Sequence, residues 1–105
     1  MHIQIVNFQL KDMSVEDFQK LCDELAPTFA GLDGLISKVW LADEETNTYG
    51  GVYTWRDRQA MEGYTQSDLF QAVATNPNLS SVTSKDFAVL ESPTRITRGF
   101  VEATT

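Results

Sequence analysis

Residues 35–55, LISKVWLADEETNTYGGVYTW, contain two strand patterns joined by a polar connection. Leu35–Ala42 and Tyr49–Trp55 are rich in β-branched and aromatic residues, whereas residues 43–48 are all polar or charged. This arrangement predicts two strands connected in the manner of a β-hairpin. The pair Gly50-Gly51 near the start of the second strand indicates a bulge, or a close approach by another backbone or a ligand.

The segments before this hairpin predict a strand and an amphipathic helix. His2–Gln9 alternates loosely and is rich in Ile, Val and Phe, so it predicts the first strand. Ser14 is a good N-cap, and apolar residues recur at spacings of three and four from Val15 to Phe29. Pro27 lacks an amide donor, so we expect the helix to kink or end near it.

The segments after the hairpin predict two short helices and further strands. Asp57 and Ser67 can each cap a short helical segment. Ser80–Glu91 predicts a fourth strand, and Thr94–Phe100 predicts a short fifth strand after the break at Pro93. The tail, residues 102–105, is expected to be loose.

The element order is β-α-β-β-α-β plus a tail, which predicts a single ferredoxin-like α+β domain over residues 1–105 with an antiparallel sheet. Helices on one face would leave the other face of the sheet bare. The second strand nevertheless carries apolar residues on both parities, with Leu35, Val39 and Leu41 on one and Ile36 and Trp40 on the other. A sheet that is apolar on both faces needs two covers, and a second copy of the chain is the simplest second cover.

Composition and charge exclude several classes of function. The net charge of −7 opposes binding to nucleic acids and to anionic membrane surfaces. No apolar run approaches the ~18 residues of a membrane span, and no secretory signal is visible, so a cytoplasmic location is expected. One cysteine, Cys22, and one histidine, His2, preclude an intrachain disulfide and a zinc site built only of Cys and His. We therefore expect no metal and no resident cofactor.

Three segments together resemble a known family. Leu35–Trp40 (LISKVW), the acidic Glu44-Glu45 and Gly50–Tyr53 (GGVY) fall at the separations found in the YdhR family of mono-oxygenases, and Glu91–Gly99 is similar to its closing segment. The resemblance implies a dimeric α+β barrel, in which two ferredoxin-like sheets face each other. It also implies a mono-oxygenase activity.

A more distant likeness concerns residues 60–70, AMEGYTQSDLF. They are similar to the second helix of antibiotic-biosynthesis mono-oxygenases and of haem-degrading enzymes in the same superfamily. This likeness implies that Tyr64 is a pocket aromatic and draws attention to Asn7 on the first strand. The axial histidine of the haem degraders would fall near Ala74, which cannot ligate iron, so the likeness argues against haem degradation.

Each candidate residue has a functional and a structural interpretation. Lys38 lies between apolar residues, so its amine could face a cavity and act as a base of lowered pKa, or extend to solvent. Asn7 could anchor a ligand or bond to backbone or water, and Arg95 could bind an anionic oxygen or form an interface ion pair. The aromatics could line a pocket or fill the core. The candidate catalytic residues are Asn7, Lys38, Trp40 and Tyr64; the candidate substrate-binding residues are Tyr53, Trp55 and Arg95.

These features favour a cofactor-independent mono-oxygenase that acts on a small planar aromatic, such as a polyphenol or hydroquinone, in a homodimer. A non-catalytic dimer that binds small molecules or responds to stress is the alternative. The fold hosts both of these kinds of protein, so the fold alone does not decide between them. A third possibility is isomerisation or decarboxylation of a similar ligand by a carboxylate or lysine base.

Overall fold

Four antiparallel strands form one sheet in the computed structural model, which describes residues 1–100. The strands are β1 (His2–Leu10), β2 (Leu35–Asp43), β3 (Thr48–Trp55) and β4 (Leu79–Ala88). The helices are α1 (Val15–Ala30), α2 (Arg58–Thr65), α3 (Asp68–Thr75) and α4 (Glu91–Ile96). The strand order is β2-β3-β1-β4, so the predicted ferredoxin-like α+β fold is confirmed.

The three predicted helix caps are confirmed. The Ser14 hydroxyl accepts a hydrogen bond from the amide of Asp17 at 3.1 Å, and Asp57 and Ser67 cap α2 and α3 in the same way. These bonds satisfy first-turn amides that have no partner within the helix. The helix α1 continues past Pro27 to Ala30, because a proline in the last turn removes only one hydrogen bond before the helix ends.

The C-terminal part of the described chain differs from the prediction. The strand β4 ends at Ala88 instead of Glu91, and the fifth strand predicted at Thr94–Phe100 is wrong. Residues 91–96 form α4, with Pro93 in its first turn, where the missing amide would have had no intrahelical partner. The tail predicted to be loose, residues 102–105, lies outside the described residues.

The two faces of the sheet differ in burial. On β1, His2, Gln4, Val6 and Phe8 are buried beneath the helices, whereas the alternate residues on the other face are only partly covered. The buried core lies between this helix-facing side and helices α1–α3, and it is rich in aromatic rings. None of the helices in the described part of the chain is long and apolar enough to cross a bilayer.

A bulge at Ile36 changes which residues of β2 share a face. Leu35 lies opposite Trp55, and Ser37 lies opposite the next residue of β3, Thr54, so one residue of β2 is left unpaired. The extra residue reverses the alternation, so Leu35 shares the helix-facing side with Lys38 and Trp40. The predicted grouping of Leu35 with Val39 and Leu41 is therefore wrong, and these last two residues lie on the outer face.

The predicted close approach at the glycine pair is confirmed at Gly50. Its φ is 154°, and a Cβ at this position would overlap the carbonyl oxygen of Val6 on β1. Only glycine lets β1 and β3 pair at this point without displacing backbone.

Substitution of Gly50 should destabilise the fold strongly, whereas substitution of Gly63 should not. We expect Gly50→Ala to lower the free energy of unfolding by at least about 2 kcal/mol, because the new methyl group clashes with the β1 backbone. Gly63 is the matched control, since a Cβ there meets nothing within 4 Å. Gly63→Ala in helix α2 should raise stability by roughly 0.5–1 kcal/mol. Urea unfolding of both variants measures this, and equal effects would contradict the assigned strand register.

Candidate active site

A cavity of about 270 Å³ lies between the helices α1 and α3 and the helix-facing side of the sheet. Its wall is almost entirely apolar, with aromatic rings from Phe8, Phe18, Phe29, Trp40 and Tyr53. The polar groups in the wall besides the Tyr53 hydroxyl belong to Cys22, Lys38 and Asn76. An apolar cavity with a few convergent polar groups is typical of a small-molecule site.

The amine of Lys38 lies among three aromatic rings. Its Nζ is 3.4 Å from the ring centroid of Phe29, 3.4 Å from that of Trp40 and 4.7 Å from that of Tyr53. Within residues 1–100, no carboxylate lies within ion-pair distance of this amine. The faces of the rings thus lie where a carboxylate would otherwise stabilise the ammonium form.

Burial changes the protonation of the two titratable groups in this wall. Burial lowers the pKa of Lys38 to about 7, although the neighbouring Cys22 acts in the opposite direction. At neutral pH a large fraction of the molecules therefore holds an uncharged amine, which can accept a proton. Burial also raises the pKa of the Cys22 thiol, so this side chain stays protonated at neutral pH.

The local backbone explains why Lys38 faces the cavity. The bulge at Ile36 turns Lys38 and Trp40 to the helix-facing side, where Trp40 lies directly opposite Gly51. A Cβ at Gly51 would lie 2.9 Å from Cε of Lys38. The missing side chain at Gly51 thus leaves the room in which the lysine stem packs.

Behind this wall lies a buried network that holds Tyr53 in place. The hydroxyl groups of Tyr53 and Tyr64 are 3.2 Å apart, and the rings of Tyr53 and Trp55 are stacked at 5.9 Å. The indole N–H of Trp55 donates to Gln4 at 3.0 Å, and the Gln4 amide donates to Ser84. Burial raises the pKa of both tyrosines, so they remain neutral phenols.

The structure brings together three of the seven predicted site residues. Lys38, Trp40 and Tyr53 line the cavity. Trp55 and Tyr64 lie behind Tyr53 and line a separate, open cleft of about 480 Å³ beside α2.

The other two predicted site residues lie elsewhere. Asn7 is on the outer face of the sheet, paired with Gly50 and Thr83, because it shares the parity of Ile3 and Ile5. Arg95 is exposed on α4, with its guanidinium 5.1 Å from the ring centroid of Phe100. Neither residue reaches the cavity.

The sequence did not predict the rest of the cavity wall, which includes Cys22, Phe29 and Asn76. Cys22 and Phe29 belong to the apolar stripe of α1, which was interpreted as core packing. Cys22 is a free cysteine and is only partly buried. Asn76 follows α3 and has no sequence motif around it. Cys22 and Phe29 lie seven residues apart on one face of α1, opposite Lys38, and this spacing was the sequence signal that could have placed them in the wall.

The described residues show no arrangement suited to a metal. Within residues 1–100, no group of three or more His, Cys, Asp or Glu side chains could hold an ion. The ring of His2 lies 2.6 Å from Asp86, outside the cavity wall, and Ala74 is exposed on α3. A haem bound in the cavity would therefore find no imidazole there.

Comparison with protein families gives one match over nearly the whole chain. The model of the family described as "Putative mono-oxygenase ydhR" matches residues 3–100. No protein of curated function matches the chain by sequence.

Solved structures share the fold. A putative antibiotic biosynthesis monooxygenase from Deinococcus radiodurans is 14% identical, with a TM-score of 0.72 over 88% of this chain and 95% of that one. The haem degrader MhuD from Mycobacterium tuberculosis, solved with two haems in its active site, is 16% identical, with a TM-score of 0.68 over 86% and 96%. A mutant of SnoaB, a cofactor-independent oxygenase from Streptomyces nogalater, is 21% identical, with a TM-score of 0.66 over 87% and 95%. At these identities the likeness concerns the fold alone.

The buried amine should make the stability of the protein depend on pH. The folded-state pKa of Lys38 is about 7, below its unfolded value, so the unfolded chain binds more protons above pH 7. The free energy of unfolding should therefore rise from pH 7 to pH 8.5 relative to that of Lys38→Met, which lacks the group. Urea titrations of both proteins give this difference, and Lys20→Met on the exposed side of α1 is the control. A difference that does not change with pH would contradict a buried amine.

Proposed function

This chain belongs to the ydhR family of mono-oxygenases, and on that premise we propose that it oxygenates a small planar phenol bound in the cavity beside Lys38. The observation that carries the proposal is the amine itself, which lies in an apolar cavity, against three aromatic rings, with a pKa near neutrality. An oxygenase that works on a phenol needs a base at that place, since the phenolate is far easier to oxidise than the phenol.

The cavity suits one planar ring. Trp40 and Phe29 offer aromatic faces and edges, against which a substrate ring can stack. A single ring would bury on the order of 100–200 Å², worth ~2.5–5 kcal/mol before the cost of association. The expected affinity is accordingly weak, with dissociation constants between about 1 μM and 1 mM.

The proposed reaction begins with proton transfer. The neutral amine of Lys38 takes the phenol proton and becomes an ammonium ion that stays beside the phenolate oxygen. The phenolate then gives one electron to O₂, which leaves a phenoxyl radical and superoxide. These recombine through a new bond between the ring carbon and oxygen, and the peroxide takes the proton from Lys38. The O–O bond of the resulting hydroperoxide then breaks. The departing hydroxide takes the hydrogen of the same ring carbon as a proton and leaves as water, which gives the quinone.

The surrounding residues would support this reaction without joining it. Apolar side chains from α1 and α3 exclude water from the intermediates, which protects them from side reactions. The hydrogen-bonded pair of Tyr53 and Tyr64 fixes one wall of the cavity. No step of this scheme runs through a metal or an organic cofactor, and the similar fold of SnoaB belongs to a cofactor-independent oxygenase.

We also propose that the protein is a homodimer formed through the outer face of the sheet. Ile3, Ile5 and Val52 are only half-covered there, and Val39 and Phe87 are 57% and 53% exposed in the single chain. An apolar sheet face of this kind needs a cover, and a second copy provides a self-complementary one. In such a dimer Asn7 would lie at the interface instead of in the cavity.

Oxygen consumption with a panel of phenols tests the proposed activity. We expect O₂ uptake with quinone formation, and Lys38→Met should lower kcat/KM by at least about 100-fold because a general base is lost. Trp40→Ala should weaken binding of the phenol, measured by fluorescence quenching. Lys20→Met on the exposed side of α1 is the matched control and should behave like the parent protein.

Other outcomes of the same assay would contradict this function. Saturable binding of phenols without any O₂ uptake would favour the non-catalytic binding dimer. Turnover of a ligand without O₂ would favour an isomerase or decarboxylase. O₂ uptake that survives in Lys38→Met would remove the amine from the mechanism.

A charge on the outer face should break the dimer. We expect light scattering to give twice the chain mass of 11.8 kDa for the parent protein and the single mass for Val39→Asp. The buried carboxylate would have no partner at the interface, which costs several kcal/mol. Lys20→Glu on the helical side is the control and should stay dimeric. A parent protein that scatters as a monomer at micromolar concentration would refute the proposal.

A further inference from the structure

We infer that Lys38 is also a nucleophile, whose amine condenses with small planar aldehydes and ketones in the cavity and holds them as a Schiff base. This activity goes beyond the proposed oxygenation, because it consumes no oxygen and forms a covalent bond between protein and ligand. The site is the same cavity, but the ligand class is a carbonyl compound.

The position of the amine supports this role. Lys38 lines a cavity that is large enough for one ring, and its Nζ is held among the rings of Phe29, Trp40 and Tyr53 instead of beside a carboxylate. An amine in an apolar pocket keeps its lone pair free at neutral pH, which is how desolvation activates lysine nucleophiles. The lowered pKa of Lys38 agrees with this position.

The groups that face Lys38 from the surrounding elements are uncharged at neutral pH, so the amine is the reactive group of the cavity. The helix α1 contributes the Cys22 thiol, whose pKa is raised mainly by burial; Lys38 acts in the opposite direction, and Asp23 adds a smaller increase. The strand β3 contributes the Tyr53 phenol, which is neutral and bonded to Tyr64. The helix α3 contributes only apolar side chains to the cavity wall.

The chemistry balances without an external oxidant or reductant. The lone pair of Nζ attacks the carbonyl carbon, and the carbonyl oxygen takes up a proton as nitrogen loses one, which gives a carbinolamine. Loss of water then forms the C=N bond. The dry, apolar wall slows the reverse hydrolysis, so the imine persists in the cavity.

The size and polarity of the cavity select the carbonyl compound. A volume of about 270 Å³ holds a single ring with a short substituent, and the aromatic wall favours a flat, uncharged one. An aromatic aldehyde such as benzaldehyde fits this description, whereas a bulky or saturated aldehyde stacks poorly against Phe29 and Trp40.

Reductive trapping in the unmodified protein provides the test. Benzaldehyde and sodium cyanoborohydride are added at pH 7, and peptide mapping by mass spectrometry locates the reduced adduct. The chain supplies its own controls, since Lys11, Lys20 and Lys85 are exposed. At this pH an ordinary lysine has a neutral fraction roughly 1000-fold smaller than an amine of pKa about 7. The lower basicity of Lys38 offsets part of this advantage, so we expect it to react at least about tenfold faster than each control lysine.

The pH profile and the aldehyde preference sharpen the test. The neutral fraction of an ordinary lysine rises about tenfold per pH unit from pH 7 to 9, whereas labelling of Lys38 should level off above pH 8. The ratio of labelling at Lys38 to labelling at the exposed lysines should be larger with benzaldehyde than with cyclohexanecarbaldehyde, because the saturated aldehyde stacks poorly in the cavity although its carbonyl is the more electrophilic of the two. Equal labelling of all four lysines at pH 7, or an unlabelled Lys38, would overturn the inference.

Competition separates this inference from the proposed function. A phenol that occupies the cavity should protect Lys38 from benzaldehyde and leave Lys85 unprotected. An adduct at Lys38 without phenol protection and without O₂ uptake would support the nucleophile and refute the oxygenase. If O₂ uptake depends on Lys38 but no adduct of Lys38 can be trapped, the nucleophilic role is refuted and the proposed oxygenation is not.

Discussion

A lysine ammonium loses its hydration when it is buried, and the arrangement of the cavity follows from how the fold offsets that cost. Three ring faces replace part of the lost hydration, and within residues 1–100 no carboxylate pairs with the amine, so the pKa of Lys38 is about 7. This position requires two backbone features, the bulge that turns Lys38 inward and the bare α-carbon of Gly51 that admits its stem. Lys38 and Trp40 on β2 and the glycine pair Gly50-Gly51 on β3 therefore belong to one packing arrangement.

The rest of the core makes this arrangement rigid. Trp55 is fully buried, and its only polar atom is satisfied by Gln4, which in turn is held by Ser84 on β4. Such buried networks fix side chains in one orientation when every member has a partner. Tyr53 stacks on Trp55, so the network also fixes the orientation of this part of the cavity wall. Residues that resembled ligand contacts in the sequence thus serve as the support behind the site.

Periodicity and capping residues were enough to predict the strands, the first three helices and the fold class. They could not reveal the bulge at Ile36, because no residue type in β2 marks the point where its pairing with β3 shifts by one residue. They also misjudged residues 91–96, where Pro93 suits both a strand break and a first helical turn. The sequence predicts Lys38, Trp40 and Tyr53 as members of a site, and the structure places all three in one cavity wall. The burial of Tyr64 and the outward position of Asn7 depend on packing between elements that are distant in sequence.

The hydrogen bond between Tyr53 and Tyr64 bears on how the protein would survive its own chemistry. A tyrosine that gives up an electron must also release its phenolic proton to become a stable neutral radical. The only acceptor for Tyr53 in the described structure is another buried phenol, and the surroundings oppose charge on either group. Oxidation of Tyr53 is therefore disfavoured. In the proposed reaction an oxidising intermediate would therefore meet little competition from Tyr53 and would react with its organic partner instead.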